Sequence, residues 1–117
     1  MMVPIVIMFV VLGLLLCAIS VPMILEKVKP NWLYGFRTPT TVNNPEIWYP
    51  VNAYAGKVLF LVGAAFAAAS VVFAVVPGMN EDQYVFACLA VLVVGMLFAL
   101  VLSFVYLHRL NKGRRGQ

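Results

Sequence analysis

Charged side chains are scarce in this chain of 117 residues, because Asp, Glu, Lys and Arg together make up only 10% of it. Hydrophobic residues make up 64%, and the mean hydropathy is +1.01. A soluble domain is about half apolar and about a quarter charged. The composition therefore excludes a large soluble catalytic domain and predicts a membrane protein with a single domain.

Cysteine and histidine are also rare. Cys17 and Cys88 both lie inside apolar stretches, so the sequence offers neither a disulfide framework nor a zinc motif of the CxxC type. The one histidine, His108, stands beside Arg109, and no second ligand stands at a helical spacing from it. We therefore predict no metal site and no cofactor.

Long apolar runs dominate what is present. They cover residues 1–25, 58–76 and 84–107 and contain no Asp, Glu, Lys or Arg. As a helix, at about 1.5 Å per residue, each run is long enough to cross a hydrocarbon core of about 30 Å. We predict an all-α integral membrane protein, a bundle of three transmembrane helices in one domain over residues 1–117. A loop at about 26–57 follows the first helix, and a basic tail at 108–117 ends the chain.

The basic residues predict the orientation. All eight lie either between the first two runs or after the third: Lys27, Lys29, Arg37, Lys57, Arg109, Lys112, Arg114 and Arg115. Because Lys and Arg favour the cytoplasmic side, the N-terminus is expected outside and the C-terminus in the cytoplasm, with a structured cytoplasmic loop between helices 1 and 2. The net charge of +4 is then a topology signal and an attraction to anionic lipid head groups near the tail, with no nucleic acid as partner.

Small residues recur at helical spacing in the second and third runs. Such residues let helices approach closely in lipid, where apolar side chains gain little by leaving the lipid for each other. Packing within one chain is favoured over a dedicated dimer face, and a homo-oligomer stays open. The stripes are Ala87, Gly95, Ala99 and Ser103 in the third run, with Gly56, Ala64 and Ala68, and Gly63 and Ala67, in the second.

The loop between the first two runs carries most of the distinctive chemistry. Pro30 is expected to end any continuation of the first helix. Gly35 permits a turn, and Thr38 before Pro39 is pushed towards an extended conformation. Between them, Arg37 either forms an internal clamp or grips a carboxylate or phosphate ligand. Glu46 is the candidate partner for the clamp, and both readings stay open.

The last residues of the loop have the pattern that is typical of the start of a helix. Asn44 is a candidate N-cap, Pro45 suits the first helical position and Glu46 suits the first turn. The second helix is therefore expected to extend from about residue 45. Trp48, Asn52 and Gly56 are four apart and share one face of it, whereas Pro50 predicts a kink or a break.

Nine residues of the loop and of the start of the second helix carry a resemblance to a known family: Asn31, Gly35, Arg37, Thr38, Thr41, Trp48, Asn52, Gly56 and Lys57. Their order, followed by two spans, resembles the signature of the SdpI/YfhL family of bacterial membrane proteins, in its short three-span form, over about residues 28–107. The resemblance implies the bacterial cytoplasmic membrane and a role in immunity. Its best-known member protects a bacterium from its own secreted killing peptide and sequesters a repressor at the membrane.

Two functions are compatible with these features. The first is a non-catalytic immunity or sensing protein, with a toxin peptide, a cytoplasmic regulator and a second copy as candidate partners. The alternative is a membrane-embedded enzyme or a protein that handles lipid or another small ligand, using Arg37, Glu46 and Asn52. The first is favoured because no serine or cysteine stands beside a base and no nucleophile can be named. The candidate residues, for a ligand or for a structural clamp, are Asn31, Gly35, Arg37, Thr38, Thr41, Glu46, Trp48 and Asn52.

Overall fold

A computed structural model of the protein describes residues 2–29 and 43–115, with side chains described for 3–29 and 43–112. The described residues form helices and turns and no strand. All three helices are long and apolar enough to cross a membrane, with hydropathies of 2.9, 2.1 and 3.1 in chain order. The prediction of an all-helical protein with three such helices is confirmed. The helices are α1 (Met2–Ile24), α2 (Pro45–Ala74) and α3 (Glu81–Arg115).

The helix α2 begins well before the second apolar run, at Pro45. Asn44 has the extended backbone of an N-cap, and its carbonyl accepts hydrogen bonds from the N–H groups of Ile47 and Trp48 at 2.9 and 2.8 Å. Its side chain, however, makes no capping hydrogen bond. The helix continues through Pro50 without interruption, so the break that Pro50 made possible is not present.

The helix α3 is longer than the third apolar run at both ends. It begins at Glu81, where Asn80 and Gln83 form reciprocal hydrogen bonds between side chain and backbone at 2.8 and 3.2 Å. This arrangement is a capping box, and it satisfies donors at the start of the helix. At the other end the helix continues through Arg115, so most of the basic tail predicted at 108–117 is helical.

The central element is α2, which packs along both α1 and α3. One end of the bundle holds the end of α1, the start of α2 and the end of α3, and we call it the basic end because Lys27, Lys57 and Arg109 lie there. The other end holds the turn between α2 and α3, and we call it the turn end. The described residues on either side of the loop, after α1 and before α2, lie at this basic end.

Glycines bring α1 and α2 into backbone contact near the middle of both helices. A Cβ atom on Gly13 would lie 2.7 Å from the carbonyl oxygen of Gly63, and a Cβ on Gly63 would lie 2.7 Å from the oxygen of Gly13. Ala67 packs beside the same contact. The stripe of Gly63 and Ala67 therefore packs within the chain, whereas Ala64 and Ala68 are exposed.

The interface between α2 and α3 uses the small residues predicted on the third helix. Ala99 and Ser103 are buried, and a Cβ on Gly95 would lie 2.9 Å from Cγ1 of Val62. At the basic end, the rings of Tyr54 and Tyr106 stack with centroids 4.4 Å apart and planes 10° apart. The two helices are thus joined closely at that end.

A buried cluster closes the turn end of the bundle. It contains Phe9 of α1, Phe66 of α2, and Tyr84 and Cys88 of α3. The Phe9 ring lies 5.5 Å from that of Phe66 and stacks on that of Tyr84 at 5.9 Å. The Tyr84 hydroxyl donates a hydrogen bond of 2.9 Å to the carbonyl oxygen of Ser70. All three helices therefore meet in this cluster.

The hydrogen bond of Tyr84 makes a measurable prediction. We expect Tyr84→Phe to lower the free energy of unfolding by about 0.6 kcal/mol, the average for a hydrogen bond between helices in a membrane protein. The ring contacts remain, so the fold should be retained. The measurement is reversible unfolding in mixed detergent micelles, with Tyr49→Phe at the basic end as control. Equal losses in the two variants would count against a specific role for the Tyr84 hydroxyl.

Candidate functional site

The helix α1 ends at Ile24, before Pro30. It ends in a turn that has no glycine to indicate it in the sequence. Glu26 has a left-handed backbone with φ of 58°. The N–H of Glu26 donates to the carbonyl of Met23 at 3.1 Å, and that of Lys27 donates to Pro22 at 2.9 Å. This pair of bonds is a Schellman motif, in which glycine usually holds the left-handed position. The first helix therefore does not continue towards Pro30, because the chain has already left the helix at Glu26.

Trp48 joins the start of α2 to the segment that leaves α1. Its side chain is 0% exposed, and its indole N–H donates a hydrogen bond of 2.7 Å to the carbonyl oxygen of Val28. A buried indole N–H requires an acceptor, and this one lies twenty residues earlier in the chain. We call this contact the Trp48 latch, meaning the Trp48 side chain and the Val28 carbonyl. It fixes both ends of the loop relative to each other.

Asn52 lies one turn after Trp48 and is buried with it. Its exposed fraction is 2%, and its side-chain amide donates a hydrogen bond of 3.0 Å to the carbonyl oxygen of Trp48. Gly56, one turn further, has the carbonyl oxygen of Ser20 and the Cβ of Met23 at 3.0 Å from the position of a Cβ. The face predicted for these residues thus packs against the last turns of α1.

Ile47 and Val51 anchor the neighbouring side of the same helical turns. Both are buried, and they form a cluster with Leu107 of α3. The first turns of α2 are therefore held between the end of α1 and the end of α3. This burial explains why a segment that precedes the apolar run is nevertheless helical, since packing stabilises a helix more than propensity does.

The candidate residues divide into two groups. Trp48 and Asn52 lie together on the buried face, whereas Glu46 has an exposed side chain in the first turn of α2. The other candidates lie outside the described residues, and so does the predicted pairing of Arg37 with Glu46. They are Asn31, Gly35, Arg37, Thr38 and Thr41.

Two partners of this site were not predicted from the sequence. The acceptor for Trp48 is the backbone carbonyl of Val28, and residue types do not indicate which backbone carbonyl accepts such a hydrogen bond. The packing of Ser20 is indicated by helical spacing, because Gly13, Cys17 and Ser20 are three or four apart in the first apolar run and so share one face. That face packs on α2, where the Cys17 thiol contacts the carbonyl of Phe60 at 3.5 Å.

In the part of this site that the structure describes, the contacts are packing contacts and hydrogen bonds. Among residues 2–29 and 43–115 there is no group of three or more His, Cys, Asp or Glu that could hold a metal ion. The hydroxyl of Ser20 donates to the carbonyl oxygen of Cys17 in its own helix at 2.7 Å, and at the turn end that of Ser70 donates to Phe66 in the same way at 2.7 Å. Such bonds are typical of serine hydroxyls in a helix, which donate to a backbone carbonyl three or four residues earlier.

The three apolar helices and the buried aromatic contact at their basic end define a small helical membrane protein. The model of the SdpI/YfhL protein family matches residues 27–106, which is more than half of the chain, and the protein belongs to that family. The match begins just after the left-handed Glu26 and includes the Trp48 latch, α2 and most of α3. No curated protein and no solved structure shows a significant match to the chain.

Proposed function

We propose that this protein is a non-catalytic immunity or sensing protein that acts against a secreted antimicrobial killing peptide. Membership of the SdpI/YfhL family carries the proposal, since the resemblance of the loop residues to that family implies immunity. The bundle then meets an amphipathic peptide in or near the bilayer. The loop between α1 and α2 then senses the bound peptide or reduces its effect on the membrane.

The Trp48 latch supports this proposal by coupling the loop to the membrane helices. Its hydrogen bond ties the start of α2 to the segment after α1, while Gly56 packs on the last turns of α1. A displacement of α1 by a peptide in the bilayer would therefore act directly on both ends of the loop. Arg37 lies between those two ends in the chain and is the residue proposed to respond.

The orientation proposed for the protein follows from its charges. The basic end carries the exposed Lys27, Lys57, Arg109 and Lys112, and the turn end carries Glu81 and Asp82. The rule that Lys and Arg favour the inside supports a cytoplasmic basic end in the bacterial cytoplasmic membrane, with the N-terminus outside. A cytoplasmic regulator would then reach the loop, and the tail would attract anionic head groups.

The proposal is tested by survival of sensitive bacteria that produce the full chain and are challenged with a panel of secreted killing peptides. We expect the wild type to protect against at least one peptide and Arg37→Ala to lose that protection at matched membrane abundance. Lys27→Gln is the control, because it removes a positive charge at a residue that does not carry the resemblance to the family. It should protect as well as the wild type.

The alternative, a protein that handles a lipid or another small ligand through Arg37, Glu46 and Asn52, gives a different result. A lipid would then co-purify with the wild type and be lost in Arg37→Ala, without protection from any peptide. Protection lost equally in Arg37→Ala and Lys27→Gln would also contradict the proposal, because a general charge effect would explain it.

A further inference from the structure

An apolar groove runs between α2 and α3, and none of its lining residues comes from α1. Its volume is about 570 Å³, and the lining includes Val58, Leu61 and Ala65 of α2 with Val94, Phe98 and Leu102 of α3. The groove opens towards the membrane, since Leu61, Val94 and Phe98 are between 61% and 67% exposed. Every lining side chain is a hydrocarbon, so the groove selects a hydrocarbon ligand.

The groove leads to two positive charges along one face of α3. Four lining residues of α3 are three or four residues apart: Val91, Gly95, Phe98 and Leu102. The same spacing continues along the helix to Arg109 and Lys112. Residues at these spacings share one face of a helix. Arg109 and Lys112 are both exposed. A hydrocarbon surface therefore ends beside two cations on the same face.

The geometry suits a ligand whose charge lies at one end. Arg109 is seven residues beyond Leu102, which places it about 10 Å further along the helix axis. Long basic side chains extend over apolar surface while their charge stays in the head-group region. The stacked rings of Tyr54 and Tyr106 lie at the intervening level, where they hold α2 and α3 together.

The lining favours a flexible chain over another protein helix. Helices pack in lipid where small residues let their backbones approach, yet Val, Leu and Phe form most of this surface. Of the three small residues in the lining, Gly95 is already covered, because Val62 lies 2.9 Å from the position of its Cβ, and the exposed Ala65 and Ala90 stand among larger side chains. A second copy of α2 or α3 would meet branched side chains here, whereas an acyl chain can bend around them.

We infer that the groove is a binding site for an anionic glycerophospholipid, with an acyl chain between α2 and α3 and the phosphate at Arg109 and Lys112. The positive charges match the phosphate, and the groove matches the chain. A bound lipid would fill the space left between the two helices and stabilise their contact. This site is separate from the Trp48 latch, so the immunity proposal does not depend on it.

The test is native mass spectrometry of the full chain in detergent, titrated with phosphatidylglycerol or with phosphatidylcholine of the same acyl chains. We expect one tightly bound phosphatidylglycerol per chain and weaker binding of phosphatidylcholine. Each basic residue near the membrane surface contributes roughly fivefold to affinity for an anionic lipid. The double variant Arg109→Gln with Lys112→Gln should therefore bind phosphatidylglycerol roughly 25-fold more weakly. Lys27→Gln, which removes a charge at the end of α1, should bind as the wild type does.

The groove itself is tested by Ala65→Leu, which fills it. Ala65 is exposed and lines the groove, whereas Ala64 is exposed and does not line it. We expect Ala65→Leu to weaken binding of both lipids roughly tenfold, as displacement of two buried methylene groups implies, and Ala64→Leu to have no such effect. A thermal unfolding curve confirms that each variant is folded.

Three results would overturn the inference. The first is equal affinity for the two lipids in the wild type. The second is a loss in Lys27→Gln as large as that in the double variant, because the attraction would then be general. The third is a dimer that dissociates in Ala65→Leu but not in Ala64→Leu, since the groove would then be an interface between two copies of the chain.

Discussion

Trp48→Ala is expected to lower the free energy of unfolding by about 3–5 kcal/mol, the range for truncating a large buried aromatic side chain. Trp48 is 0% exposed and lies where the start of α2 contacts the segment after α1. Removing the ring leaves a cavity and deprives the Val28 carbonyl of its donor. The measurement is reversible unfolding in mixed detergent micelles. Phe86→Ala is the control, because Phe86 is 74% exposed and its loss leaves no cavity.

Trp48→Phe separates the two parts of the contact. Phenylalanine keeps most of the buried ring but cannot donate to Val28, so we expect a loss of about 1 kcal/mol for the hydrogen bond, together with a smaller packing loss. A variant with Phe that is as unstable as the one with Ala would mean that the hydrogen bond dominates. If both variants unfold as the wild type does, the latch does not hold the basic end together.

Gly63→Leu is expected to lower the free energy of unfolding by an amount comparable to that of Trp48→Ala. The cause is overpacking between α1 and α2 instead of a cavity. A Cβ at this position would lie 2.7 Å from the carbonyl oxygen of Gly13 and 2.9 Å from the Cβ of Leu16. The nearest of these atoms is backbone, so α1 must move away from α2 as a whole. Inserting methylenes into a packed core costs about 1–3 kcal/mol when the backbone shifts slightly, and more when it cannot accommodate them.

The matched control for Gly63→Leu is Ala68→Leu on the same helix. Ala68 is exposed, so the larger side chain extends away from the bundle and should leave the unfolding free energy almost unchanged. Gly63→Ala should fall between the two, because its single methyl group meets the same oxygen. Equal unfolding free energies for Gly63→Leu and Ala68→Leu would show that α1 and α2 do not make this backbone contact.

Much of the helical arrangement was predictable, because its causes are local. The three apolar runs give the three helices, and the order Asn44, Pro45 and Glu46 predicts the residue at which α2 begins. The end of α1 agrees with the first apolar run, which ends at Leu25, one residue beyond Ile24, whereas the end of α3 was not predicted. The Schellman turn has glutamate where glycine is usual, so its signal is absent. The basic tail contains good helix formers and suits the negative end of the helix dipole, which explains why α3 continues.

The candidate site was predictable to the extent that it depends on helical spacing. Trp48, Asn52 and Gly56 share a face because they are four apart, and all three are buried. The partner of Trp48 was not predictable, because it is a backbone carbonyl and any residue could supply it. Spacing also could not tell which small residues of α2 pack on α1, since Gly63 and Ala64 are neighbours that face opposite environments.

The most direct test of the proposed immunity is the membrane potential of sensitive bacteria during exposure to a killing peptide. Cells that produce the full chain are compared with cells that carry the empty vector, and the potential is followed with a voltage-sensitive dye. We predict that at least one peptide collapses the potential in vector cells while cells with the wild-type protein keep it. Collapse at the same peptide concentration in both strains, for every peptide in the panel, would contradict the proposal.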